Sequence, residues 1–360
     1  MNDSDKMKTH RSGTRQLYLG SIPIGGGAPI VIQSMTNTDT RNIEATLKQI
    51  TDLHNAGCDV IRVAVLDESA ADALKTITTR SPLPVIADIH FHHVLALKAI
   101  ENGIAGLRLN PGNIQNHTKV QEIVAAAREK MIPIRIGVNA GSVNRKKYGD
   151  PTPESLVASA LEHITILEKL NYYNIKISLK MSDVSPTVAA YRLMAQKRNY
   201  PLHLGITEAG TVTYGSIKSA MGIGALLIDG IGDTIRVSLA GDPVQEIIVA
   251  QHILRAAGLY TKGVEIIACP TCGRTTMDVA AVAEELERRT KNINARCRIA
   301  VMGCVVNGPG EAKDADIAVV GHPDGVTALI YCNGKQVNRI QRTTLYDETI
   351  HIINDFISRQ

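Results

Sequence analysis

The sequence predicts an α/β protein: a (β/α)8 TIM-type barrel over residues 1–258, followed by a small α/β domain over residues 263–360. Three observations predict it. Between residues 29 and 257, eight short β-branched runs each lead into an amphipathic stretch. Eight such units in about 230 residues match a closed barrel, with a doubly wound open sheet as the alternative. Apolar residues make up 44% of the chain but aromatics only 3%, with no Trp and two Phe, so the core must be Ile, Val, Leu and Ala. That composition suits parallel strands buried on both faces. After Gly258 the alternation stops, and the stretch 258–263 has a glycine at each end, as a linker often does.

Taken in order, residues 1–15 are polar and read as a mobile start, and residues 16–24 as a short strand pair or lid ended by Gly25-Gly26-Gly27. Barrel strands are expected at 30–34, 60–65, 85–88, 106–109, 134–138, 175–178, 202–205 and 234–238. Helices are expected at 43–56, 67–79, 93–102, 118–130, 154–170, 185–198, 214–227 and 243–257, with ends such as Ala56-Gly57 and Asn102-Gly103. In the second domain strands fall at 263–268, 298–302, 317–320, 328–332 and 335–340, with helices at 277–289 and 345–358.

Bulk properties exclude some functions. A net charge of +4 without a Lys/Arg run attracts anions but does not call for nucleic acid. Scarce aromatics argue against a stacking platform for single strands. The first ten residues lack the apolar core of a signal peptide, and no apolar run approaches the roughly 20 residues of a membrane span. Six cysteines in that context read as reduced, cytoplasmic thiols, not a disulfide framework.

The strands carry basic residues between apolar neighbours: Arg62, Arg108, Arg135, Lys176, His203 and Arg236. Neighbours in a strand point to opposite faces, so the apolar residues pack under the helices and the basic ones point into the barrel. Inward carboxylates are fewer, Asp88 being the clearest. Buried charge must be paired, so the excess implies an anionic, phosphorylated ligand at the strand C-termini. The loops agree. Asn110-Pro111-Gly112-Asn113, Asn139-Ala140-Gly141-Ser142 and Ser178-Leu179-Lys180 offer amides and N–H groups to phosphate oxygens. Glu208 after the seventh strand is a candidate acid/base group, or a helix N-terminal charge. His90, His92 and His93 lack a second ligand cluster, so a barrel zinc is disfavoured.

Cys269-x2-Cys272 and Cys304 each enter a turn after an apolar strand. A zinc ribbon would need a second pair, and a redox dithiol would place the pair at a helix start. Three thiols suit an iron–sulfur cluster one ligand short. Glu311, brought back by Asn307-Gly308-Pro309-Gly310, is one candidate for the fourth ligand and Cys297 another. Cys58, Cys297 and Cys332 otherwise read as buried structural thiols.

Six segments then carry a resemblance over nearly the whole chain: residues 29–40 (PIVIQSMTNTDT), 106–113 (GLRLNPGN), 134–142 (IRIGVNAGS), 204–210 (LGITEAG), 269–274 (CPTCGR) and 302–311 (MGCVVNGPGE). In these the chain resembles the bacterial 4-hydroxy-3-methylbut-2-en-1-yl diphosphate synthases, in their short, two-domain form. The resemblance implies a barrel followed by a cluster domain, and a [4Fe–4S] cluster held by Cys269, Cys272, Cys304 and Glu311. It implies a homodimer in which one subunit's cluster domain caps the other's barrel. The implied substrate is 2-C-methyl-D-erythritol 2,4-cyclodiphosphate, opened reductively with electrons from a flavodoxin or ferredoxin. Arg62, Arg108, Asn110, Arg135, Asn139, Ser142 and Lys180 are then expected to hold the diphosphate. Glu208 or Asp88 is expected to handle protons, and Glu311 to be a ligand that can yield to substrate. A zinc- or pterin-dependent barrel transferase or lyase would instead act without external electrons, and a pure electron carrier would have no use for inward arginines.

Overall fold

Why the barrel forms where it does follows from its strands, which are mainly apolar on the helix side and carry their charged residues on the axial side. The computed structural model describes residues 9–359 apart from 90, 91, 115, 261, 294 and 307. The expected polar start at 1–8, His90, Thr261 of the linker and Asn307 of the cysteine turn thus lie outside the described residues. The chain divides into two compact units, Met1–Leu259 and Tyr260–Gln360.

The first unit opens with a helical turn, α1 (His10–Gly13), and an antiparallel hairpin of β1 (Leu17–Leu19) and β2 (Ile22–Ile24). The eight barrel strands follow: β3 (Val31–Met35), β4 (Val60–Ala64), β5 (Val85–Asp88), β6 (Gly106–Arg108), β7 (Ile134–Asn139), β8 (Ile175–Lys180), β9 (His203–Leu204) and β10 (Thr234–Ile235). The helices are α2 (Ile43–Asn55), α3 (Glu68–Arg80), α4 (His93–Glu101), α5 (His117–Glu129), α6 (Arg145–Tyr148), α7 (Pro153–Lys169), α8 (Val184–Lys197), α9 (Val212–Ile228) and α10 (Pro243–Ala256). Most of their starts are fixed by ordinary capping chemistry. Asn42, Asp67 and Asp242 accept from backbone N–H groups of the first turn, and Thr152 with Ser155 forms a reciprocal box before Pro153. All neighbouring strand pairs are parallel, in the order β8-β7-β6-β5-β4-β3-β10-β9. A bridge between Ile177 and Leu202 closes β8 onto β9, so the sheet is a barrel and not an open doubly wound sheet.

Two expectations for the N-terminal region change. Residues 9–15 are pinned, not loose: Arg11 N–H donates to Gly230 O at 3.0 Å, Arg15 N–H to Asn199 O at 2.8 Å, and the Thr14 hydroxyl to Asp233 at 3.2 Å. The hairpin is a strand pair, as one reading had it, but not a lid over the mouth. Leu17, Leu19 and Ile24 pack with Val31, Val60 and Ile86 and stop the N-terminal end of the barrel. The last two barrel strands are shorter than expected, yet the stitching continues past them. Arg236 N–H reaches Leu204 O at 3.0 Å, and Thr207 N–H reaches Met181 O at 3.2 Å.

The second unit is a five-stranded sheet in the order β11 (Val264–Ala268), β12 (Cys297–Met302), β13 (Ile317–Gly321), β14 (Thr327–Cys332) and β15 (Lys335–Gln341). The first three strands are parallel and the last two antiparallel. Helices α11 (Val279–Thr290) and α13 (Leu345–Ser358) bury Leu286, Leu345 and Ile353 against one face of it. A one-turn helix, α12 (Gly308–Glu311), follows the third cysteine.

Candidate active site

Inward side chains of the barrel meet at the C-terminal ends of the strands. There they line a cavity of about 120 Å³ formed by Arg62, Asp88, Arg108, Arg135, Gly137, Asn139, Lys180, Thr207, Arg236 and Ser238. Among the described residues it is thus lined by five basic side chains and one carboxylate. Asp88 stands between two of the arginines, 3.5 Å from Arg62 Nε and 3.4 Å from Arg108 Nη1. The Arg108 guanidinium also donates to Gly137 O at 3.1 Å. Arg135 donates to the Ser178 hydroxyl at 2.7 Å, while its Nε has no partner. Arg62 donates to the Met35 sulfur at 3.0 and 3.2 Å.

Burial among like charges disfavours the protonated forms. Burial, opposed by Asp88 and reinforced by Arg236 and Arg108, pushes Arg62 down to about 10. Burial first, and then Arg62 and Arg108, hold Arg135 well below the usual arginine range. Lys180 is likewise held far below the ordinary lysine value by burial and by Arg236, Arg135 and Arg62. Gly205 makes room for it, since a methyl at that position would stand 2.6 Å from Lys180 Nζ and 2.6 Å from Arg236 O. This concentration of cationic groups is costly in the free protein and is relieved by an anion with two or more charges.

The structure places the expected residues at different depths and on different partners. Of the six basic strand residues, Arg62, Arg108, Arg135 and Arg236 line the cavity; Lys176 and His203 lie deeper, 2% and 0% exposed. Asn110 does not face the cavity. Its side chain accepts from Gly137 N–H at 2.9 Å and donates to Gly137 O at 2.8 Å, so its hydrogen bonds go into joining β6 to β7. Ser142 is exposed, and its hydroxyl donates to Asn139 O at 2.8 Å, holding the turn that carries Asn139. Glu208 is exposed beside Thr207, outside the lining, with φ at +53°. A left-handed glutamate at a barrel rim is an uncommon backbone state that points to function.

Residues missed in the sequence are Met35 and Glu246. Glu246 lies 3.5 Å from Arg236 and accepts from Ser34 Oγ at 3.2 Å and Leu239 N–H at 3.0 Å. The available signal was a carboxylate on the apolar face of a helix, in register with Ile247, Ala250 and Leu254.

In the second unit, β11 and β12 run side by side and deliver Cys269 and Cys304 beyond their C-terminal ends. Gly303 N–H donates to Cys269 Sγ at 3.2 Å, and Thr276 N–H holds Gly303 O at 2.8 Å. Thr271, between the first two cysteines, has φ at +62°. Cys272 and Glu311 are exposed. Among the described residues no three of His, Cys, Asp and Glu stand close enough together to ligate one ion, and that includes His92 and His93. The donor set nevertheless suits a cluster in kind: three thiols and a carboxylate on adjacent loops, with a backbone N–H already directed at one sulfur. Cys297 is corrected as a competing ligand. It begins β12 whereas Cys304 follows its end, so about 17 Å of strand separates the two positions. Burial pushes both Cys58 and Cys297 up to about 12, as inert core thiols.

Comparison with known proteins covers both units. Residues 14–251 match the family described as the GcpE TIM-barrel domain, and residues 265–355 match the GcpE protein C-terminal domain. A 4-hydroxy-3-methylbut-2-en-1-yl diphosphate synthase (flavodoxin) of Geobacter sulfurreducens is 54% identical over 353 residues, covering 97% of this chain and 99% of its own. One of the same description from Clostridium perfringens is 52% identical over 347 residues, covering 96% and 99%. Another, from Brevibacillus brevis, is 51% identical over 353 residues, covering 97% and 98%.

Proposed function

The chain belongs to the 4-hydroxy-3-methylbut-2-en-1-yl diphosphate synthase family, and from that premise we propose how its residues divide the work. The enzyme is an oxidoreductase that opens 2-C-methyl-D-erythritol 2,4-cyclodiphosphate to 4-hydroxy-3-methylbut-2-enyl diphosphate. The barrel, residues 1–258, is the substrate domain, and residues 263–360 are the cluster domain. Arg62, Arg108, Arg135, Lys180 and Arg236 take the diphosphate, with Asn139 at the rim. Asn110 and Ser142 act behind them by fixing the loops.

The single observation that carries this reading is the basic lining of the cavity, five cationic side chains against one carboxylate. It fits the charge balance of the reaction. One C–O bond to a ring phosphate breaks and one hydroxyl leaves as water. Two electrons and one proton are consumed, and the freed phosphate oxygen carries one more negative charge than before. Preorganised cations aimed at that oxygen therefore stabilise the transition state more than the ground state. Asp88 orients Arg62 and Arg108 toward it. Glu208, exposed and held in a left-handed turn, is the group we assign to carry the proton to the leaving hydroxyl.

Cys269, Cys272, Cys304 and Glu311 would hold a [4Fe–4S] cluster. Such a cluster would supply the electrons one at a time, drawn from flavodoxin, the donor that the relatives' names indicate. A ferredoxin is the alternative donor. We further propose a homodimer, supported by an apolar stripe on the outer face of α9. Tyr214, Ile217, Met221 and Ile228 are 61, 55, 61 and 77% exposed there. No helix among the described residues is long and apolar enough to cross a membrane, and reduced thiols suit the cytoplasm.

The test is turnover by anaerobically prepared protein with reduced flavodoxin or dithionite. The linear allylic diphosphate should appear only with the reductant. Conversion of the cyclic diphosphate, without external electrons, to a different product at the same oxidation level would replace this reading with the zinc- or pterin-dependent one.

A further inference from the structure

Asn110 follows β6 and Asn139 ends β7, and the loops that continue from them are tied to consecutive residues of one helix. His163 of α7, 9% exposed, accepts the Gly112 N–H on Nδ1 at 2.8 Å. Gly112 is the middle of a tight turn, Pro111–Asn113, directly after Asn110. A methyl at Gly112 would stand 2.4 Å from the His163 ring, so the imidazole lies hard against the turn backbone. One residue earlier, Glu162 receives Lys147 Nζ at 2.7 Å and the Tyr148 hydroxyl. Lys147 and Tyr148 belong to α6, at the far end of the loop after β7. Asn110 then ties the first loop to β7 through its paired bonds to Gly137, two residues before Asn139.

We propose that Glu162 and His163 form a staple that sets both substrate loops from one helix, and that His163 is a positioning residue for the cyclic diphosphate. The proposal rests on the diphosphate reading of the cavity. Its chemistry is specific. A backbone N–H needs a lone pair, so Nδ1 must be unprotonated; an imidazolium has only donors and would repel the Gly112 N–H. The ionisable groups that face the ring are Glu162 beside it on α7, Lys147 on α6 and Arg108 on β6. Burial, the largest influence, lowers the histidine's pKa; the two cations act the same way and Glu162 opposes them. The accepting form is therefore held at neutral pH, and acid opens the staple.

The experiment uses the full-length holoenzyme carrying His163→Leu or His163→Asn. Hydrogen exchange is read on peptides over 106–117 and 137–148, beside KM and kcat for the cyclic diphosphate. In His163→Leu, exchange at the Gly112 N–H should rise and KM should increase about tenfold, with kcat and cluster absorbance little changed. The Asn side chain can offer Oδ1 to the same N–H, so His163→Asn should restore both readouts. It should also lose the acid-side rise in KM that is expected of the wild type. Unchanged exchange in His163→Leu overturns the staple, and raised exchange with unchanged KM overturns the positioning role. Equal loss in both variants with a lowered Tm makes His163 a core residue only. Failure of the wild-type holoenzyme to convert the cyclic diphosphate would sink the function assigned to the cavity and leave the exchange result standing.

Discussion

At the scale of single residues, the cavity stores charge that folding alone would not place there. Arg108 touches Asp88 and Gly137 O together, so Arg108→Ala removes an anion contact and also leaves Asp88 with one arginine fewer. Its KM for the cyclic diphosphate should rise about a hundredfold, while the cluster absorbance stays as it was. Unchanged affinity, measured by calorimetry, would remove Arg108 from the site. Lys180 gives a prediction of opposite sign for stability. Its folded pKa is depressed, so the unfolded chain binds the proton more tightly. The stability tied to this group is present above the unfolded lysine value and is lost as pH falls toward the folded one. Lys180→Met therefore raises Tm at pH 7, by about 2–4 °C for each kcal/mol relieved, and abolishes turnover. Thermal melts at pH 7 and pH 10 check the sign, since the gain should shrink at the higher pH. The arginines were legible in the sequence because a charge between two apolar neighbours in a strand has one place to point. The place of Asn110 was not legible, for an equally physical reason. A side chain with one acceptor and two donors serves a backbone as well as a phosphate, and only coordinates say which.

At the scale of elements, the barrel units were legible almost residue by residue, because parallel strands and amphipathic helices carry strong periods. The short pieces were not. The turn at Pro111–Asn113, the turn at Ala140–Ser142 and α6 are each three or four residues long and have no period to read. They all follow strands whose residues line the cavity. Helix α9 differs from its neighbours in another way. It holds one charged residue, Lys218, in 17 positions, and its exposed apolar side chains recur at seven-residue spacing from Tyr214 through Met221 to Ile228. Laid antiparallel on itself about Met221, the helix would set Tyr214 opposite Ile228 and Ile217 opposite Ala225, large against small, as a two-fold contact requires. Met221→Glu should therefore halve the mass seen by light scattering without lowering the helix content. A wild type that is already monomeric would dispose of the dimer.

At the scale of the whole molecule, two units with separate cores are joined by one reaction, and each makes its own demand. The second unit must carry about four irons per chain if its thiols hold a [4Fe–4S] cluster, and the anaerobic protein should be brown. Glu311→Ala should keep most of that iron yet alter the electronic spectrum and depress turnover. A colourless zinc protein, or a Glu311→Ala indistinguishable from wild type, would refute the assignment. Three of the four proposed ligands announced themselves by type and spacing. The fourth stayed open between Glu311 and Cys297, because an exposed carboxylate in a one-turn helix is like many with no role. The hairpin packed under the barrel has a kinetic consequence. Leu17, Leu19 and Ile24 close the floor, so among the described residues the chamber opens at the strand C-termini. Reactant and product must pass through that opening in opposite directions and cannot do so together. The linear diphosphate should consequently inhibit as a pure competitor of the cyclic one, with slope but no intercept effect in double-reciprocal plots. Release of the more highly charged product from that cul-de-sac should quicken as salt screens its cationic walls.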